Sequence, residues 1–172
     1  MVPSPAFTVR QLGPNDVAQI EAMMTVFGEA FDEVDTYTGA RPSTRYLEHL
    51  LSDSHLIALA ALKDSMVVGG LVAYELQKFE RKRSEIYIYD LAVVEAHRRR
   101  GMATALIEEL KTLAAERDTC VLFVQADLTD APAIALYTKL GTRAEVLHFD
   151  IGVGSPKNRK GNRSILKVID QS

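Results

Sequence analysis

The chain has 172 residues, 47% hydrophobic and 25% charged, which is the size and composition of one globular domain able to bury its own core. A single cysteine excludes an internal disulfide, and that cysteine with the four histidines shows no metal-ligand spacing, so no metal is expected. The net charge of −3 argues against nucleic-acid binding, no apolar run is long enough for a bilayer, and residues 1–20 lack the basic start and apolar run of a signal peptide; a cytoplasmic protein is the expectation.

Residues 7–12 alternate as a short strand, and Pro14-Asn15-Asp16 opens a helix whose apolar residues Val17, Ile20, Met24, Phe27 and Phe31 recur at helical spacing. A charged stretch from Glu29 to Asp35 and a break at Gly39 to Pro42 precede a second helix over 43–52, capped by Ser43 or Thr44. Two β runs, Leu56 to Leu62 and Val67 to Leu76, flank the polar turn Lys63-Asp64-Ser65. After a turn at Glu80 to Arg83, the run Glu85 to Val94 is the strongest strand signal in the chain. His97 to Gly101 then leads into a helix with Leu106, Ile107, Leu110, Leu113 and Ala114 on one face. Residues 119–126 form a near-continuous apolar run, as expected of a strand buried on both faces. Asp130 caps a third long helix with Pro132 in its first turn and Gly141 at its end, and Ala144 to Ile151 closes as another strand. This order predicts an α+β domain over residues 1–153, with a mixed central β-sheet flanked by helices, antiparallel hairpins first and a parallel strand-helix-strand crossover second.

The charge is unevenly divided. Residues 154–172 carry five bases against Asp170 alone, whereas residues 1–153 hold 15 bases and 22 acids, giving a tail of +4 and a body of −7. The tail has Gly and Pro punctuation and no amphipathic period, which predicts a mobile extension rather than part of the site.

The segment from Leu91 to Ala103 carries the chemistry. A strand ends, a basic turn with a glycine follows, and a helix begins at once. Exposed N–H groups at the positive end of a helix suit an anionic phosphate, Gly101 lets a ligand approach the backbone, and Arg98, Arg99 and Arg100 add positive charge. Three adjacent bases in a loop more often serve only solvation; the position between strand and helix gives these a second reading.

The block Arg98-Arg99-Arg100-Gly101-Met102-Ala103 resembles the [QR]-x-x-G-x-[GA] pyrophosphate-binding pattern of the GNAT acyltransferases. Asp130 to Gly141 resembles that superfamily's N-x-x-A-x-x-x-Y-x-K-x-G helix, with Asp130 where many members have Asn. The blocks Arg83 to Val93, Val124 to Asp127, Pro132 to Gly141 and His148 to Ile151 are similar to the type I aminoglycoside 3-N-acetyltransferases, the gentamicin-modifying branch. The resemblance implies the GNAT fold over roughly residues 7–152 and acetyl transfer from acetyl-CoA to the 3-amino group of a 2-deoxystreptamine aminoglycoside. That reaction confers antibiotic resistance. It also implies cofactor contacts from Leu91, Ala92, Val93, Arg98 to Ala103, Asp130 and Tyr137, and a possible homodimer.

An aminoglycoside is a polycation whose reacting amine must lose a proton, so the site needs carboxylates to hold ammonium groups and one to accept the proton, directly or through water. An acidic body concentrates such a substrate. Asp90 interrupts the apolar run IYIYDLAVV and is the expected base; a surface Asp at a bulge is the plainer alternative. Glu85 is the reserve, facing the opposite side of an ideal strand unless a bulge resets the count. By the resemblance, Tyr137 is the candidate acid for the departing thiolate, against the alternative of a packed helix tyrosine. Backbone N–H groups near Ala92 and Val93 are the expected oxyanion donors. Cys120, in an apolar run, is expected in the core, so attack is direct within a ternary complex. Asp32, Glu33, Asp127 and Asp150 are candidate substrate contacts, and His148 is expected to pack structurally. A GNAT acetyltransferase for another cationic amine, a polyamine or a protein lysine, is the alternative, differing at the acidic residues.

Overall fold

The computed structural model describes residues 7–153, so the expected mobile tail at 154–172 lies outside the described residues. The chain divides into two compact units, one ending at Val124 and the other beginning at Gln125.

The first unit is a five-stranded mixed sheet with helices on both faces. Its strands are β1 (Thr8–Gln11), β2 (Leu56–Lys63), β3 (Met66–Gln77), β4 (Ser84–Val93) and β5 (Thr119–Val124), in spatial order β1-β2-β3-β4-β5. The first four are antiparallel neighbours and β5 runs parallel to β4, reached through α4 (Met102–Ala115). Helices α1 (Val17–Ala30), α2 (Val34–Thr38) and α3 (Thr44–Ser52) fill the connection from β1 to β2. The Asp16 carboxylate fixes the entry to α1, accepting from the Gly13 N–H at 2.8 Å and from Arg10. Ser43 caps α3 as expected, its hydroxyl accepting from the Tyr46 N–H. The core-facing methionine of α1 is Met23, which is fully buried, rather than the expected Met24.

Two glycines of β3 decide what touches the sheet. A Cβ on Gly70 would overlap Sδ and Cγ of Met23, so this position lets α1 sit down on the sheet. The neighbouring position, Gly69, faces the other way, opposite Val93. Val93 joins Val68 and Met102 of α4 in a buried cluster, so α1 and α4 cover opposite faces. Each fully buried side chain such as Met23, Leu71, Leu106 or Leu110 contributes roughly 1.5–3 kcal/mol to this sandwich.

Three expectations need correction. Strand β5 ends at Val124, not at residue 126, and is not buried on both faces: Val121 is 47% exposed and Phe123 38%. Among the described residues it is the last strand of the sheet, paired with β4 alone, so an apolar sequence did not imply two covered faces. Cys120 is accordingly exposed rather than in the core, its thiol donating to the Ser84 carbonyl at 3.3 Å.

The second unit contains α5 (Ala131–Leu140), capped by Asp130, whose Oδ1 accepts from the Ala133 N–H at 3.0 Å. Pro132 sits in its first turn and Gly141 follows its end, as the sequence predicts. The expected strand over 144–151 is absent; that stretch has no regular structure, and Val146, Leu147, Phe149 and Ile151 are 75–88% exposed. Alternation makes a segment compatible with a strand, but only a neighbouring strand satisfies its backbone groups.

Candidate active site

The decisive local feature is a bulge in β4. Val72 of β3 pairs with Asp90, but the next residue, Ala73, pairs with Ile88, so Tyr89 is the extra residue of a bulge. The bulge resets the alternation. Asp90 is opposite Val72, Tyr87 opposite Tyr74 and Glu85 opposite Leu76, which places Glu85, Tyr87 and Asp90 on one sheet face. The bulge that the sequence reading left open is therefore present, and the two candidate carboxylates share a side.

Asp90 is 7% exposed and lies on the face that α1 covers. The Tyr37 hydroxyl meets both its carboxylate oxygens, at 3.1 and 3.2 Å. Tyr37 belongs to α2, a short helix from the end of the charged stretch Glu29 to Asp35 to the break at Gly39 to Pro42. Its ring packs against Phe27 at 5.9 Å and Phe31 at 5.9 Å between centroids. Gly28 allows this contact, since a Cβ there would stand 3.3 Å from the Tyr37 Cβ and 3.2 Å from the Val34 Cα. Glu85 faces the same side but is engaged by Lys78 at 3.4 Å.

Beside Asp90 stands an aromatic group. Tyr89 makes edge contacts with Tyr74 at 5.6 Å and Tyr87 at 5.8 Å, and Tyr87 stacks on Phe123 at 5.0 Å. Burial raises the Tyr74 phenol above its ordinary value, and the negative charge of Asp90 adds to the effect.

The pairing of β4 with β5 ends at Ile88 opposite Val124, while β4 continues to Val93. Over that last stretch its neighbour is β3. Val94 donates its N–H to the Val68 carbonyl at 2.9 Å, and strand alternation then turns Ala92 toward β3 as well. Leu91 and Val93 direct their backbone groups to the β5 side, so among the expected backbone donors Val93 is outward and Ala92 is not. The Val93 carbonyl accepts from Arg98 Nε at 3.0 Å, which braces the start of the basic turn.

The turn itself suits an anion. Gly101 has φ +81 and begins α4 without a side-chain cap, leaving the first-turn N–H groups for a ligand. Among the described residues, apart from Gly101 itself and its chain neighbours, no heavy atom lies within 4 Å of where a Gly101 Cβ would stand, so the approach is open. Arg99 and Arg100 are exposed alongside, and Arg99 is itself left-handed at φ +59. These residues fit the pyrophosphate of a coenzyme A thioester. Among the described residues no group of three or more His, Cys, Asp or Glu side chains could hold a metal ion.

The sequence matches the acetyltransferase (GNAT) family over residues 20–142. The chain belongs to the GNAT family. Its members are acetyltransferases that use acetyl-CoA, and the sheet just described is the GNAT fold. The crystal structure of an aminoglycoside acetyltransferase, HMB0005, from an uncultured soil metagenomic sample shares 61% identity and a TM-score of 0.85, over 86% of this chain and 99% of that one. A second soil-metagenome aminoglycoside acetyltransferase, meta-AAC0020, solved in complex with sisomicin, shares 26% identity and a TM-score of 0.80 over 87% and 97% of the two chains. An N-alpha-acetyltransferase of Saccharolobus solfataricus is 28% identical over 145 residues, 78% of each chain.

In the second unit, burial and the charge of Asp130 hold the Tyr137 phenol well above its ordinary value. Two of the candidate substrate carboxylates have partners there. Asp127 accepts from the Thr129 N–H and hydroxyl, and Asp150 meets His148 Nε2 at 3.1 Å. His148 Nδ1 in turn meets Gln125 at 3.1 Å, in a stretch without regular structure rather than on the strand where it was expected to pack. In the first unit, Asp32 is exposed at φ +54 and Glu33 precedes α2.

The residue that sequence reasoning missed is Tyr37. Its one signal in the sequence is a helical spacing with Val34 and Phe31, just past the charged stretch Glu29 to Asp35.

Proposed function

We propose that this GNAT enzyme acetylates a 2-deoxystreptamine aminoglycoside at its 3-amino group, in the cytoplasm and by direct attack in a ternary complex, conferring resistance to gentamicin-like drugs. The observation that carries the acceptor class is the 61% identity with the aminoglycoside acetyltransferase HMB0005 across 86% of the chain. The 3-amino position rests on the type I resemblance of the blocks around Arg83 to Val93 and His148 to Ile151.

Asp90 takes the proton from the acceptor ammonium, directly or through water. The freed amine attacks the thioester carbonyl carbon, an N–C bond forms, the C–S bond breaks, and the proton that the attacking nitrogen then loses passes through water to the departing thiolate, releasing coenzyme A as the thiol. Bound at the Arg98 to Ala103 turn, the thioester supplies the activated acetyl group. The outward Val93 N–H supports the developing oxyanion. A phenol held above its ordinary value of about 10 stays protonated but is a poor acid toward a thiolate of ordinary affinity near 8.5. Tyr137 therefore serves as a hydrogen-bond donor to the leaving sulfur rather than as a full proton source. Tyr89 and Tyr74 are candidates to offer an aromatic face to a second ammonium of the same substrate.

The Saccharolobus N-alpha-acetyltransferase supports a second reading, acetylation of a peptide amine, at lower identity. NMR of the product formed from gentamicin tests the position. Acetylation at the 3-amino group is expected; acetylation at another amine would contradict the type I assignment.

A further inference from the structure

We infer that Tyr37 is a positioning residue for acceptor deprotonation: its hydroxyl fixes the Asp90 carboxylate, so the strength of the base depends on how α2 is seated. The inference rests on the reading of Asp90 as the base. Its ground is the contact of one hydroxyl with both carboxylate oxygens, at 3.1 and 3.2 Å, across 53 residues of sequence.

A carboxylate on a bulge has two rotatable bonds and no covalent reason to face the acceptor. A phenol held by its own packing restrains both. Tyr37 is held in that way: its ring meets Phe27 and Phe31 of the α1 end, and its Cβ lies against Gly28. The Phe27 and Phe31 rings are buried and stack on each other at 5.8 Å, so the platform under Tyr37 is rigid. The segment carrying it also holds Asp32, Glu33 and Asp35, carboxylates that suit the ammonium groups of a polycation. A substrate that engages this loop therefore bears on the same short helix that aims the base. Acceptor binding and base orientation are linked through α2.

Tyr37→Phe removes the hydroxyl and keeps the ring. A hydrogen bond to a charged group corresponds to a factor of about 10 to 100. Steady-state constants for the wild type, Tyr37→Phe, Asp90→Asn and the double variant are compared, with the acceptor that the wild type turns over. Tyr37→Phe is expected to lower kcat about 10- to 100-fold with the KM for acetyl-CoA unchanged. Asp90→Asn is expected to lower kcat about 10²- to 10⁴-fold, and adding Tyr37→Phe to it changes nothing further. Calorimetric binding of acetyl-CoA to each variant confirms that the fold is intact. A wild-type kcat in Tyr37→Phe, or losses that multiply in the double variant, overturns the positioning role while leaving Asp90 as base. A wild-type kcat in Asp90→Asn overturns the base assignment itself, and the inference with it.

Discussion

At the scale of single residues, the candidate groups differ in legibility. Asp90 stood out because a carboxylate inside an apolar strand needs a reason to be there. Tyr37 did not, because its meaning lies in a contact 53 residues away that no local pattern encodes. Tyr137 was legible by resemblance, but its chemistry was not: burial and Asp130 raise its phenol, which keeps it protonated where a free tyrosine titrates. Above about pH 10 the unfolded chain has lost this proton while the folded one retains it, so stability falls as pH rises through that window. Tyr137→Phe is expected to lessen this alkaline loss in denaturant titrations between pH 9 and pH 11, a range of about 2 units around the free phenol value. It should also lower kcat without adding an alkaline limb to the rate profile. Equal alkaline sensitivity in the two proteins would mean that Tyr137 titrates as an ordinary tyrosine.

At the scale of elements, strand and helix positions were largely readable from periodicity, whereas their neighbours were not. The run EIYIYD alternates as well in a flat strand as in a bulged one. Only the register against Val72 and Ala73 places Asp90 on the same sheet face as Glu85. The segments 119–126 and 144–151 failed for a related reason. Apolar alternation marks what a strand could bury, and the exposure of Val121 and Phe123 was decided by β5 lying last in the sheet. Two glycines separate packing from binding. Gly70→Ala drives a Cβ into Met23 and is expected to cost roughly 1–3 kcal/mol of stability, measured by chemical denaturation. Gly101→Ala meets no atom but must adopt φ +81, costing about 1–2 kcal/mol. Its effect should fall mainly on the KM for acetyl-CoA. An unchanged KM in Gly101→Ala would remove the turn from the cofactor site.

At the scale of the whole molecule, no helix among the described residues is long and apolar enough to cross a membrane. The −7 body and the basic turn at Arg98 to Gly101 are regions of opposite charge, as the proposed pairing of a cationic acceptor with an anionic cosubstrate requires. Family, fold and cosubstrate were readable from the chain because the phosphate-binding turn is local, a strand end and a helix start joined by a few residues. The acceptor proposed for it rests on resemblance, because recognition of a polycation takes carboxylates from separate segments, which no local sequence pattern identifies. The most direct test is thiol release from acetyl-CoA with gentamicin, spermidine and a peptide amine as competing acceptors. Turnover with gentamicin far above the other two is the expected result; turnover confined to spermidine or the peptide would contradict the aminoglycoside assignment.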